Sequence, residues 1–398
     1  MPSKASFTIL VIGGGVAGLA ASIGLRRKGH KVIVLESTTT LQTLGGSLLI
    51  PPNAARVLSS YNLWEKFKEA ETIPRGNTTF RYEDGRVLEE VDYGAMEGAF
   101  GFPVMAIPRA KYQKLLHDAA IGLGVQVRLS SRIKSLDENI PSVTLTTREV
   151  IRGDIIVGAD GWYAPTRQMI SGSDTSSSFY RMTLIFYPST SSPLSSSDIL
   201  AANSASSYRL GSTTSLRQLV SDFEPRVRKL AELVKPEDCF LWKIAHLPKL
   251  KSWVSGSGKV VLLGDAAHAM VPHLGAGAAT AVEDGAILAE CLSHTHFKTD
   301  IPQALKTYEN LRRPRAERIQ ATALITGQYK VMPDGPAQQK RDEKMKQRMD
   351  RGNPKYEYWK AGGGLEWLYG YDFLKEARNA LNESTPTVEQ QGRNGHKL

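Results

Sequence analysis

An α/β fold, with a helix-flanked parallel sheet, a mostly antiparallel β-sheet domain and C-terminal helices, is predicted by three observations. First, Phe7 to Ile12 is an unbroken apolar, largely β-branched run that gives way to Gly13-Gly14-Gly15-Val16-Ala17-Gly18 and a helical run, Leu19 to Lys28. Second, another strand, Lys31 to Leu35, follows Gly29, so strand, glycine turn, helix and strand make a βαβ unit, which demands parallel pairing. Third, two later buried-type strands, Asp154 to Ala159 and Val260 to Leu263, lead into Asp160-Gly161 and Gly264-Asp265, while Thr78 to Val91, Val125 to Leu136 and Val143 to Val150 alternate in polarity as antiparallel strands do.

The remaining elements follow in chain order. Pro51 and Pro52 introduce an amphipathic helix, Ala54 to Ala70, with Asn53 as its expected cap. Thr78 to Val91 reads as a hairpin about Asp84-Gly85. The chain then returns to the parallel sheet near Pro108 and Arg109, where the helix Ala110 to Leu123 begins. Val125 to Leu136 and Val143 to Val150 alternate as strands. Serine-rich segments, Ser171 to Ser178 and Ser189 to Ser207, flank a strand over Phe179 to Pro188. Helices follow over Ala276 to Cys291 and from Pro302 to about Lys330, and the last dozen residues read as a disordered tail. These boundaries give a discontinuous nucleotide-binding domain, 1–75, 104–172 and 252–335, a second domain, 76–103 and 173–251, and a C-terminal region, 336–398.

Composition narrows the class. A chain of 398 residues, 41% hydrophobic and 23% charged, is an ordinary globular protein with room for two interleaved domains. Cys239 and Cys291 are the two cysteines and lie outside any CxxC spacing, so a disulfide framework and a thiolate metal site are not expected. The net charge of +10 arises late, from Arg312, Arg313, Arg315, Arg318 and the span Lys340 to Arg351. Acidic residues interleave them, which reads as a solvated helix face and argues against a nucleic-acid partner. No apolar run approaches the ~18–20 residues needed to span a bilayer. The cytoplasm is expected, with the peroxisome a weak alternative because the chain ends His396-Lys397-Leu398.

The glycine-rich turn carries the first chemistry. Gly13 permits a tight turn from strand to helix, Gly15 lets a pyrophosphate approach the backbone of Val16 and Ala17, and Gly18 lets helix and strand pack closely. Glu36 stands at the end of the second strand, where a carboxylate accepts hydrogen bonds from ribose hydroxyls. That pattern predicts dinucleotide binding without saying which dinucleotide. His268 and His273 have no metal-ligand spacing, and structural hydrogen-bonding roles are expected of them.

Together with Gly158-Ala159-Asp160-Gly161-Trp162 and Gly264-Asp265-Ala266-Ala267-His268, the glycine turn resembles the single-component flavoprotein aromatic monooxygenases, which include para-hydroxybenzoate, salicylate and 6-hydroxynicotinate hydroxylases. The resemblance covers most of the chain and implies a Rossmann-type FAD-binding domain. It implies FAD contacts for Asp160 and Asp265, a flavin-side loop at Gly45-Gly46, an FAD-contacting arginine at Arg109, and a flavin-ring loop over Pro272 to Ala278 that includes Gly275, Gly277 and Ala278. It further implies transient NADH or NADPH, O2 as co-substrate, a flavin C4a-hydroperoxide and a small aromatic substrate, with the protein a monomer or homodimer. Phe179-Tyr180-Arg181 and Tyr187-Pro188 look like the motifs of fungal members, which would make Arg181 the anchor of a phenolate or carboxylate and Tyr187 its hydrogen-bond partner. Trp367, Tyr369, Gly370, Tyr371 and Asp372 resemble a fungal tail motif. The departure is a shorter interval between the two substrate motifs, which predicts a wider, wetter pocket. Two rival expectations therefore stand beside hydroxylation: another oxidative outcome such as epoxidation, ring rearrangement or dehydrogenation, and an FAD-binding protein that only leaks peroxide.

Overall fold

The computed structural model describes residues 5–41, 46–70, 74, 76–171, 178–186, 208–350 and 364–383. Its centre is a five-stranded sheet in the order Val260–Leu262, Ile155–Gly158, Thr8–Ile12, Lys31–Leu35 and Gln126–Arg128. All four pairings are parallel. Because alternate side chains leave a strand on opposite faces, the apolar run at the N-terminus serves two cores. Ile9 and Val11 pack with Leu19, Ile23, Val282 and Ile287 on the helical face. Leu10 and Ile12 pack with Val143, Leu145 and Ile151 on the other. Full burial of each such side chain contributes about 1.5–3 kcal/mol, so this strand tolerates a polar residue on neither face.

The second layer beneath the sheet is antiparallel, Ile133–Asp137, Ser142–Leu145 and Val150–Arg152. On the opposite side, helix Val16–Arg27 lies against helix Gly277–Leu292, and they approach so closely that a Cβ on Gly285 would stand 2.6 Å from the Ala21 backbone. Helix Ile301–Lys330 packs on Gly277–Leu292 in turn. A separate antiparallel sheet pairs Ser178–Phe186 with Cys239–His246 and Tyr208–Leu210, and the expected hairpin forms as Gly76–Phe80 with Val87–Asp92. The mixed α/β architecture with a Rossmann-like parallel core, antiparallel sheets and C-terminal helices is the one expected.

Five expectations change. The strands expected over Val125 to Leu136 and Val143 to Val150 are each two, Gln126–Arg128 with Ile133–Asp137 and Ser142–Leu145 with Val150–Arg152, because Ser130 (φ 55°) and Arg148 (φ 73°) turn the chain between them. The helix expected over Ala54 to Ala70 is two, Pro52–Ser60 and Trp64–Glu69, because Asn62 takes a left-handed conformation (φ 61°) that ends the first and redirects the chain. Asn53 does not cap that helix. It lies inside it, and its Nδ2 donates to Glu283 Oε1 at 2.6 Å. Two arginines of the 312–318 segment leave the expected solvated face: Arg312 is 0% exposed, and the Arg315 side chain, 8% exposed, lies between helix Gly277–Leu292 and the C-terminal segment, whereas Arg318 is exposed as expected. That segment docks through Phe373 and Ala377 in the main core. The tail expected over the last dozen residues, Tyr187, the serine-rich interval Ser189 to Ser207, most of Ser171 to Ser178, and Gly45 lie outside the described residues. Cys239 and Cys291 are free and buried. No helix among the described residues is long and apolar enough to cross a membrane.

Candidate functional site

The carboxyl ends of the parallel strands bring three of the sequence motifs together. At the glycine turn, Gly13 has φ 107° and a Cβ there would meet Ala159 O at 2.4 Å. A Cβ on Gly18 would stand 2.0 Å from Gly13 O. By contrast, nothing lies within 4 Å of a Cβ built on Gly15. Two glycines are thus demanded by close packing, and the one between them faces open space at the N-terminus of helix Val16–Arg27. No side chain caps that terminus and its first turn carries no acid, so the Val16, Ala17 and Gly18 amides with their partial positive charge suit an anion.

Glu36 holds this turn from the side. Its Oε2 accepts from Gly14 N at 2.7 Å and its Oε1 from Thr38 N at 2.8 Å. Gln113, which the sequence did not single out, donates from Nε2 to Gly14 O at 2.7 Å and is buried. The next motif lies alongside. Asp160 Oδ2 accepts from both Thr166 N and Thr166 Oγ1 at 2.8 Å, whereas its Oδ1 is buried with no hydrogen-bond partner among the described residues. Burial raises the Asp160 carboxyl above the usual carboxylate range, against the opposing pull of the Thr166 bonds and Arg167. Arg167, also unforeseen, joins the two aspartate turns: Nη1 donates to Ala266 O at 2.9 Å and Nη2 to Trp162 O at 2.7 Å. Burial lowers its pKa, while Asp160 and Asp265 act the other way.

The third motif meets the first directly, since a Cβ on Gly264 would be 2.7 Å from Ala17 Cβ. Asp265 opens the short helix Asp265–His268 and is exposed. Further along, Gly275 has a left-handed φ of 61° and abuts Leu49, and Gly277 begins helix Gly277–Leu292 with room beside it. Ala278 follows in the same first turn. Gly46 O accepts from Arg109 N at 3.2 Å, which ties the start of strand Ser47–Ile50 to the start of helix Arg109–Gly122. Arg109 is half-buried. Arg181 lies on strand Ser178–Phe186, opposite Ile244 and beside a register shift after Phe179. His268 has the structural role expected of it, bonding Asp284 at 2.6 Å.

The residues present fit a dinucleotide. The open approach at Gly15 suits a pyrophosphate, Glu36 stands at the ribose end, and Asp160 offers a buried acceptor. Behind them is a group that sequence reasoning missed. Glu283 and Asp284, both 0% exposed, meet Arg312 at 2.7 and 2.8 Å, and Arg315 binds both Glu283 oxygens at 2.8 Å. Two adjacent acids inside the apolar helical run Ala276 to Cys291 were the available signal, because buried charges require partners.

The family profile described as "FAD binding domain" matches residues 6–240 and 249–323. The FAD-dependent monooxygenase OpS4 of Beauveria bassiana (strain ARSEF 2860) is 32% identical, over 94% of this chain and 97% of that protein. The 3-amino-4-hydroxybenzoate 2-monooxygenase PtmB3 of Streptomyces platensis is 27% identical, over 92% and 96%. Among solved structures, CtdE in complex with FAD and a substrate superposes with a TM-score of 0.75 at 21% identity, covering 95% of this chain and 98% of that one.

Proposed function

The chain belongs to the FAD-dependent monooxygenases built on this FAD-binding domain, and from that premise we propose that it consumes NAD(P)H and O2 to hydroxylate a small aromatic or heteroaromatic compound. The observation that carries the reading is the spacing at the glycine turn: two glycines closed by backbone and one left open, with Glu36, Asp160 and Asp265 ranged around it. Bound FAD would supply the hydride acceptor and the site of O2 activation.

The chain's own residues would do the rest. Val16, Ala17 and Gly18 amides hold the pyrophosphate, Glu36 takes the ribose, and Asp160 and Asp265 take hydroxyls of the cofactor. Arg109 and Gly46 border the flavin. Gly275 would shape the ring loop, and the Gly277 and Ala278 amides, at a helix N-terminus, would border the flavin and favour negative charge on it. Arg181 orients an anionic substrate and Tyr187 hydrogen-bonds it. Residues 1–75, 104–172 and 252–335 form the FAD domain, and 76–103 with 173–251 the substrate domain. The related PtmB3, named for an aminohydroxybenzoate, supports an aromatic substrate. Two free cysteines without a disulfide agree with work in the cytoplasm.

The test is direct. Purified protein should be yellow, release FAD on denaturation, and oxidise NADH or NADPH faster when the right phenol or heteroaromatic is present, with one atom of labelled O2 found in the product. NAD(P)H oxidation that no compound accelerates, ending wholly in hydrogen peroxide, would overturn hydroxylation while leaving FAD binding intact.

A further inference from the structure

We infer that Asp284 is a positioning residue for the cofactor: it holds the Gly264-Asp265 turn in the shape that presents Asp265 to FAD. The inference rests on the FAD site proposed above. Asp284 Oδ2 accepts from the Gly264 amide at 3.0 Å and bonds His268 Nε2 at 2.6 Å. Those groups are the two ends of one short element, because Gly264 precedes helix Asp265–His268 and His268 closes it.

An isolated single turn of helix has no cooperative stability of its own, so its geometry must come from outside. Gly264 adds to the need, since φ 60° with ψ −144° is open to glycine alone. One carboxylate that grips both ends is a staple across that turn. Asp265 is left exposed.

The staple is itself held rigidly. Asp284 Oδ1 accepts from Arg312 Nε at 2.8 Å, and Arg312 Nη2 reaches Glu283 Oε2 at 2.7 Å. Arg315 then extends the chain of charges to the Trp367 and Leu368 carbonyls at 2.8 and 2.9 Å. Burial works to raise the Asp284 carboxyl, yet His268 and Arg312 more than offset it and pull it down to about 2. The group is therefore a carboxylate under all ordinary conditions, as a permanent acceptor for an amide and an imidazole must be.

A double-mutant cycle on FAD affinity separates positioning from mere support. Apoprotein of the full chain is titrated with FAD for wild type, Asp265→Ala, Asp284→Asn and the pair. If Asp284 acts through the turn, each single variant weakens FAD by about tenfold or more, and the pair binds no worse than about the weaker single. Effects that multiply in the pair would overturn the inference, since support of the fold alone does not depend on what stands at position 265. An Asp265→Ala affinity equal to wild type would instead overturn the site reading beneath it. Should Asp284→Asn not fold, His268→Asn carries the same cycle: it removes one of the two turn bonds and keeps the Arg312 ion pair.

Discussion

The glycine turn and the buried ion network behind it are built on opposite principles. In the turn, the backbone does the work and side chains are excluded: Gly13 and Gly18 are needed because a methyl group would strike a carbonyl. In the network, side chains do the work, and Glu283, Asp284, Arg312 and Arg315 find each other across two helices. The difference teaches that the turn is written in local steric rules and the network behind it in long-range pairing. It also says how each half should fail.

The largest effect is expected from Arg312→Met. It leaves two carboxylates at 0% exposure short of their shared cation, which costs roughly 3–5 kcal/mol of unfolding free energy, read from urea denaturation. Gly18→Ala should cost about 3 kcal/mol or more by driving a methyl into Gly13 O, whereas Gly15→Ala should leave stability within about 0.5 kcal/mol and weaken FAD binding. If Gly15→Ala destabilises the apoprotein as much as Gly18→Ala does, the division of labour within the turn is wrong.

The next effect is on acid stability. Asp284 is depressed to about 2 from an ordinary value of about 3.9, so its contribution is present above the ordinary value and is lost as pH falls toward 2. Acid unfolding of Asp284→Asn should accordingly be flatter over that window than that of wild type. The smallest effect belongs to Arg128 and Glu149, paired at 2.6 Å on the surface. Arg128→Ala should leave the denaturation midpoint where it is. A large shift there would mean that exposed pairs stabilise this protein as buried ones do.

Much of the candidate site was legible in advance for a reason that particular residues make plain. Gly13, Gly15 and Gly18 carry their meaning wherever they stand after a strand, and Asp160 and Asp265 were marked by their place beyond buried runs. Gln113 and Arg167 gave no such mark: each is an ordinary polar residue on a helix until the fold sets it against Gly14 O or Ala266 O. Asn53 misled for the same reason. A residue that often caps helices was used instead to reach Glu283, 230 positions away.

By itself the sequence determined the parallel core, its order of strand, turn and helix, and the glycine cradle, because these depend on the period of apolar residues and on the volume of a Cβ. Only the tertiary structure decided that Arg312 and Arg315 of helix Ile301–Lys330 turn inward, that Arg315 stacks on Tyr371 at 3.7 Å to bind the C-terminal segment, and that Asp284 grips the Gly264 turn. A charge has no preferred neighbour until two helices are pressed together, and its burial is then settled by whichever opposite charge the packing supplies.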